Sequence, residues 1–340
     1  MREQVTILMK RFAQMRDRIR GWVLGRTLHY LAMVDEPWYT WVNALANFYI
    51  LMRNPERVTH PGNLHPDKTF YVIRDLSPDV GVAGWYDRVL GYILHAERKG
   101  WIPVVDPPPP AQPDDGDWYA FFKAPTDIPL VEALQGRNVV ISTVQGMIHK
   151  RFSRKNVARR HVICQRVPLS DDAQTYVDSH LQNLFAATPS PMVAIRFRGT
   201  DYRSHGDYCP IGHAKVPDVD VFCDRVIADM EEWGIPVGKG EHIFLVTEEQ
   251  EAFESILRRF PRCRYVAKER YANFNFKSYL TRQRLPTLTP KENNMMYLLE
   301  IYAMARCDYL IGGVNGGVLM ALNLNGNRYK GVDIVKTGVN

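Results

Sequence analysis

At 340 residues, with 46% hydrophobic and 24% charged, the chain is long for one compact core and suits a soluble globular protein of about two domains. No window reaches the roughly 18 uninterrupted apolar residues of a spanning helix, since the nearest, "WYTWVNALANFYILM", holds polar residues inside it. Seven basic residues up to Arg26 (Arg2, Lys10, Arg11, Arg16, Arg18, Arg20 and Arg26) against Glu3 and Asp17 supply +5 of the formal charge of +6. The remainder is near neutral, which excludes a nucleic-acid footprint spread over the fold.

The basic residues near the start are scattered among helically spaced apolar ones, and no cleavable signal pattern follows, so secretion is not expected. Such a helix either docks on its own domain with a solvated charged face or lies on an anionic membrane surface. The five cysteines, 164, 209, 223, 263 and 307, contain no CxxC pair and are odd in number, which predicts reduced, packed thiols, with Cys209 alone on a polar loop.

From about residue 66, short β-branched runs alternate with longer amphipathic ones. "TFYVIRD" (69–75) reads as a strand, "GWYDRVLGYILHAERKG" (84–100) as a helix stopped by Gly100, and "WIPVVD" (101–106) as the next strand, which makes a parallel βαβ unit. "PPPPAQPDDGD" (107–117) must be a loop, because proline lacks the amide hydrogen and fixes its backbone angle. "NVVIS" (138–142) is another strand. In "HKRFSRKNVARRH", Lys150, Arg151, Arg154, Lys155, Arg159 and Arg160 meet no acidic residue locally, which reads as a solvated surface or, less simply, an anion-facing patch.

The pattern restarts after "AATPSP" (186–191): "MVAIRFR" as strand, "VPDVDVFCDRVIADMEEWG" as helix, "HIFLVT" as strand, "EEQEAFESILRRF" as helix and "RYVA" as a short strand. The helix "PKENNMMYLLEIYAMARC", the strand "YLIGG" and the helix "GGVLMALNLN" complete it. Two successive α/β halves predict two doubly wound domains with a ligand cleft between them.

Three motifs fall at the carboxyl ends of predicted parallel strands, where loops diverge and helix N-termini point outward. In "MVAIRFRGTDY", Arg196 and Arg198 share one face of the strand with Ala194, and Arg198 sits at its mouth, where its planar fork suits a phosphate or carboxylate. The structural alternative pairs Arg198 with Asp201. In "VTEEQ", Thr247 followed by Gln250 reads as a capping box, with Glu248 and Glu249 on the positive end of the helix; the functional alternative is a fixed acid beside a nucleotide base. In "DYLIGGVNGG", Asn315, Gly316 and Gly317 open the last helix, whose exposed amides suit phosphate oxygens, or whose glycines serve tight packing. The preceding helix begins with a capping box over Thr289, Pro290 and Glu292, and Met295, Leu298, Leu299 and Tyr302 form its expected buried stripe.

In this order, "RFRGTD" (196–201), "VTEE" (246–249) and "ARCDYLIGGVNGG" (305–317) resemble the fucosyltransferase superfamily of the glycosyltransferase B fold, with its HxRxxD strand end, ATDD-like turn and CDxLxGxxSG segment. The likeness is to a bacterial branch related to the nodulation, core N-glycan and protein O-fucosyltransferases, in which "FRGTDY" is followed by a proline and a histidine, here Pro210 and His213. It covers roughly residues 70 to 325, and the segment around "GVAGWYDRVLGYILHAERKG" also looks like that branch.

The resemblance implies an α/β protein of two Rossmann-like doubly wound domains facing a cleft. A helical extension at 1–62 would precede an acceptor-side domain at 63–187 and a nucleotide-sugar-binding domain at 188–340. It further implies an inverting, metal-independent transfer, with no cofactor and GDP-fucose or another GDP-sugar as donor, to a hydroxyl of a bacterial surface polysaccharide or lipid-linked oligosaccharide. Arg198 would bind the diphosphate with Arg196 and Gly199 beside it, Glu248 assisted by Thr247 would take the guanine-binding place, and Asn315, Gly316 and Gly317 would hold the β-phosphate. Asp207, His205 and Asp201 are the candidate general bases. Three positions depart from the pattern: Arg196 replaces the usual histidine, Gly199 a second arginine, and Glu248 the usual aspartate. "GWYDR" and "DWYAFF" offer aromatics for sugar stacking or for the core. A cytoplasmic location, peripheral contact with the inner face of a membrane through the basic helix, and no nucleic-acid partner complete the expectations. The alternative is a nucleotide-binding regulatory or scaffold protein without catalysis.

Overall fold

The computed structural model describes residues 56–74, 76, 80–110, 112–142, 154–186, 188–199, 216–272, 283–313 and 315–335. The basic N-terminal helix, Cys209, Asp201, His205 and Asp207 lie outside the described residues. Among those described are two four-stranded sheets. The first has the order β1-β4-β2-β3, from Val58–Thr59 (β1), Leu64–Ile73 (β2), Ile102–Val105 (β3) and Gly136–Ile141 (β4). Its three longer strands are parallel, and β1, within the segment expected to be an extension, pairs antiparallel with β4. The second, wholly parallel, has the order β6-β5-β7-β8, from Val193–Arg196 (β5), Ile243–Val246 (β6), Tyr309–Gly313 (β7) and Gly331–Val335 (β8).

The helices are Val82–Arg98 (α1), Leu130–Leu134 (α2), Arg154–Cys164 (α3), Asp171–Leu184 (α4), Val219–Glu232 (α5), Gln250–Arg259 (α6), Pro290–Arg306 (α7) and Gly316–Asn325 (α8). The expected α/β architecture of two successive halves is present. Helix α1 ends as its sequence predicts: the Gly100 amide reaches back to Glu97 O at 3.0 Å, and Gly100 takes a φ of +70°, where a side chain would be strained. The capping box of α7 is also present, with the Glu292 amide donating to Thr289 Oγ1 at 3.2 Å and the Thr289 amide to Glu292 Oε2 at 2.8 Å.

Two-residue periodicity sorts the second sheet. Val193, Ile195 and Phe197 point to one apolar core with Phe222 and Val226 of α5 and Phe253 and Ile256 of α6. Ala194, Phe244, Val246 and Leu310 point to the opposite core, which contains α7 and α8 and runs on into the first half through Tyr71, Ile73, Tyr86 and Leu90. One hydrophobic core therefore joins both halves, and α8 packs on α1 and α3. Arg196, on the face of Ala194, points into this shared layer.

Several expectations are corrected. Helix α7 buries more than its expected stripe: Leu298 and Leu299 are buried as expected, but so are residues 300, 301 and 303 to 305, because it is wedged between α4 and α8, while Met295 and Tyr302 are only partly buried. "RYVA" makes a single parallel bridge, Arg264 with Phe244, before the chain turns inward. The basic run is in part helix α3, and Arg160 on it is not solvated: it forms a buried ion pair with Asp87 of α1, a partner far off in sequence. Arg154, Lys155 and Arg159 are exposed, as a solvated face requires. The cysteines, by contrast, are as expected: the four among the described residues are free and buried, and burial pushes the Cys164 and Cys263 thiols up to about 12 and Cys223 to about 11.

Candidate functional site

The site is built where β5 and β6 end. Register places Arg196 beside Val246 on one side and Gly312 on the other, so its side chain emerges between the two neighbouring strand ends. Gly312 makes this possible, because a Cβ there would stand 3.2 Å from Arg196 Cβ and 2.9 Å from Val318. Gly317 does the same from above: its added Cβ would lie 2.4 Å from the Tyr297 hydroxyl and 3.1 Å from Arg196 Nε. Gly317 thus serves the tight packing expected of these glycines.

Arg196 is fully buried and Arg198 is 15% exposed. Both donate to one oxygen, Oε1 of Glu248, through Arg196 Nη2 and through Arg198 Nη1, the latter at 2.9 Å. Arg196 Nη2 also donates to the Tyr297 hydroxyl at 3.2 Å, its Nε donates to Asn315 Oδ1 at 3.4 Å, and its guanidinium lies 5.0 Å from the Tyr297 ring centre. Burial alone would raise the Glu248 carboxyl; Arg196, Arg198 and Lys268 outweigh it and hold the group down at about 2. Glu248 is a carboxylate at every physiological pH.

The capping box expected over Thr247–Gln250 is not formed. The Tyr271 amide donates to Glu248 O at 2.9 Å and the Gln250 amide to Tyr271 O at 3.1 Å, which holds 248 and 249 extended, so that α6 begins at Gln250 with Glu249 as its cap residue. That delay turns Glu248 away from the helix and toward the arginines. Thr247 is fully buried, and its carbonyl accepts from Arg270 Nε at 3.2 Å.

Three residues not anticipated from sequence complete the cluster. Lys268 donates to Glu300 Oε2 at 2.7 Å with both side chains almost wholly buried, and the Lys268 ammonium lies 5.9 Å from the ring centre of Tyr297. Burial keeps the Glu300 carboxyl above its ordinary range even though Lys268 and Arg196 pull it down. The one signal in the sequence was Glu300 standing among apolar residues in "MMYLLEIYAMA". Arg196, Arg198, Lys268 and Arg270 thus gather around Glu248 and Glu300.

Asn315 caps α8, accepting from the Val318 amide at 3.1 Å and donating to Gly313 O at 3.0 Å. The next residue, Gly316, brings the start of α8 against the start of α1: a Cβ at 316 would lie 3.6 Å from Gly84 N and 3.7 Å from Ala83 Cβ. Neither helix has an acidic residue in its first turn, and α1 has no side-chain cap. Two positive helix ends thus adjoin the cationic cluster. Gly199, at the end of the described strand segment, is buried. The aromatics of "DWYAFF" divide: Trp118, Phe121 and Phe122 are core residues, Trp118 and Phe122 ring centres lying 4.5 Å apart, whereas Tyr119 is exposed and donates to Val105 O at 2.6 Å.

No family model matches the chain, and no curated protein does. Solved structures do. The NodZ α-1,6-fucosyltransferase soaked with GDP-fucose is 14% identical, with 76% of this chain and 93% of that chain covered and a TM-score of 0.45. An Arabidopsis thaliana FUT1 variant in complex with GDP is 11% identical over 91% of this chain and 76% of that one, at a TM-score of 0.46. POFUT1 in complex with GDP-fucose is 8% identical over 81% and 97%, at 0.43. No group of three or more potential metal-ligating side chains occurs among the described residues, and no described helix is long and apolar enough to cross a membrane.

Proposed function

We propose that the chain is an inverting glycosyltransferase that transfers fucose from GDP-fucose to a hydroxyl of a glycan acceptor. The observation that carries this is the convergence of Arg196 and Arg198 on Glu248 at the strand mouth, with the N-termini of α8 and α1 adjoining it. The partial positive charge at a helix N-terminus favours an anion near it, and a diphosphate supplies one. The ordered motif likeness adds the donor class.

In this reading Arg198, at the strand mouth, stabilises the charge that develops on the departing diphosphate, and the amides at the start of α8, set by Asn315, add to it. Because stabilisation of the leaving group comes from fixed cations and dipoles, the reaction needs no metal for that role. The acceptor hydroxyl attacks the anomeric carbon from the opposite side as the bond to the diphosphate breaks. Its proton passes to a carboxylate or imidazole of the segment holding Asp201, His205 and Asp207.

Calorimetry with GDP on the wild type and on Arg198→Ala tests the site, with at least about a tenfold loss of affinity expected from removing a charge-assisted contact. Unchanged affinity would sink the assignment. A screen of GDP-sugars for hydrolysis tests competence, and binding without turnover of any of them would favour the regulatory reading.

A further inference from the structure

We infer that Glu248 is a positioning residue for the two arginines and not the reader of the nucleotide base. This rests on the nucleotide-sugar reading of the same site. A carboxylate reads guanine by accepting from the ring imino group and the exocyclic amino group together, one on each oxygen. In this chain one oxygen is already committed. Oε1 accepts from Arg196 Nη2 and from Arg198 Nη1, which fills its two lone-pair directions. Both are charge-assisted bonds in a buried place, where exchange for neutral donors of a base is unfavourable. Oε2, the oxygen left over, is itself shut off from solvent, so a base could reach both oxygens only by moving the pair.

The geometry has a reason in the chain. Arg196 comes from inside β5, and its guanidinium is set from below by Tyr297 and Asn315. Arg198, two residues on, is nearer solvent, and Glu248 is one of the groups that hold its fork at the mouth. Glu248, at the end of the neighbouring strand, bridges the fixed arginine to the outer one through a single oxygen. The Tyr271 and Gln250 backbone bonds that keep 248 extended hold the bridge in place. The longer glutamate side chain, as against aspartate, spans to both guanidinium groups.

The consequence is that Glu248 acts on the phosphates through Arg198 and contributes little to base selection. Calorimetry on the full chain with GDP, inosine diphosphate and inorganic pyrophosphate tests this, because inosine lacks only the exocyclic amino group of guanine. For the wild type, affinities for GDP and inosine diphosphate within about threefold are expected, as no carboxylate partner of that amino group is lost. A preference for GDP of more than about tenfold would overturn the inference.

Glu248→Gln supplies the second arm where it folds, with thermal melting measured alongside. It is expected to weaken pyrophosphate and GDP by the same factor, about tenfold or more, with the ratio between GDP and inosine diphosphate unchanged. Pyrophosphate affinity that stays the same while GDP falls to the level of inosine diphosphate overturns the proposal. A lowered melting temperature with every affinity unchanged overturns it too, since that is a purely structural role. Failure of the wild type to bind any of the three overturns the nucleotide-sugar reading itself, and this inference with it.

Discussion

At the carboxyl end of the first sheet, Arg74 donates through Nε to Asp106 Oδ2 at 2.6 Å with side chains 46% and 23% exposed, whereas at the same end of the second sheet Arg196 and Glu248 pair at 0% and 8%. The residue types are alike and the surroundings are not. In the first pair water screens the charges and solvates whatever a substitution leaves behind. In the second, each charge has been taken out of water and depends on its partner, so that removal of one strands the others. A chain keeps such an arrangement where charge must be held in fixed positions, which is what a strand mouth beside two helix N-termini asks for.

The largest effect is expected of Glu248→Ala, which leaves the buried Arg196 guanidinium without its carboxylate. A loss of about 3–5 kcal/mol in urea unfolding is expected. A loss no greater than that of an exposed pair would remove the distinction between the two ends.

The acid limb of stability comes next. The Glu248 carboxyl titrates at about 2 in the folded chain against an ordinary 4.5, so its contribution is fully present above about pH 4.5 and is lost as the pH falls toward 2. That contribution is on the order of 3 kcal/mol. Unfolding measured at several pH values between 6 and 3 should steepen in this window, and Glu248→Gln should flatten it.

A smaller effect separates two adjacent glycines. Gly317→Ala places a Cβ 2.4 Å from the Tyr297 hydroxyl and should cost about 1–3 kcal/mol by thermal melting. Gly316→Ala meets only ordinary contacts at 3.6 and 3.7 Å and should stay within about 0.5 kcal/mol. Among the charge pairs the smallest effect belongs to the first sheet: Asp106→Ala should change stability by no more than about 0.5 kcal/mol, and salt should reduce even that.

Much of the fold was legible because its signals are local. Helix α1 carries apolar residues at helical spacing and a terminal glycine, α7 carries its threonine, proline and glutamate start, and β7 and α8 fall at the bounds their residues suggest. Helix α4 was not legible, although Ser170 caps it, because Ala173, Val177 and Leu181 form a thin apolar line among polar residues. The two-residue strand β1 and the five-residue β8 carry too little pattern to stand out, and each exists by pairing with a strand already formed.

Which residue types stand at the strand ends follows from local patterning: Arg196 and Arg198 on one face by the two-residue period of a strand, and a glycine-rich helix start after β7. What those residues do to one another is set by packing in three dimensions. Thr247–Gln250 satisfies the local rule for a helix cap, yet pairing with Tyr271, more than twenty residues away, delays the helix and frees Glu248 to bridge the arginines. Lys268 and Glu300 meet only because the chain after β6 turns inward against α7. Local rules weigh a residue against its neighbours in the chain; a buried charge is settled by its neighbours in space, since outside water it has no other partner.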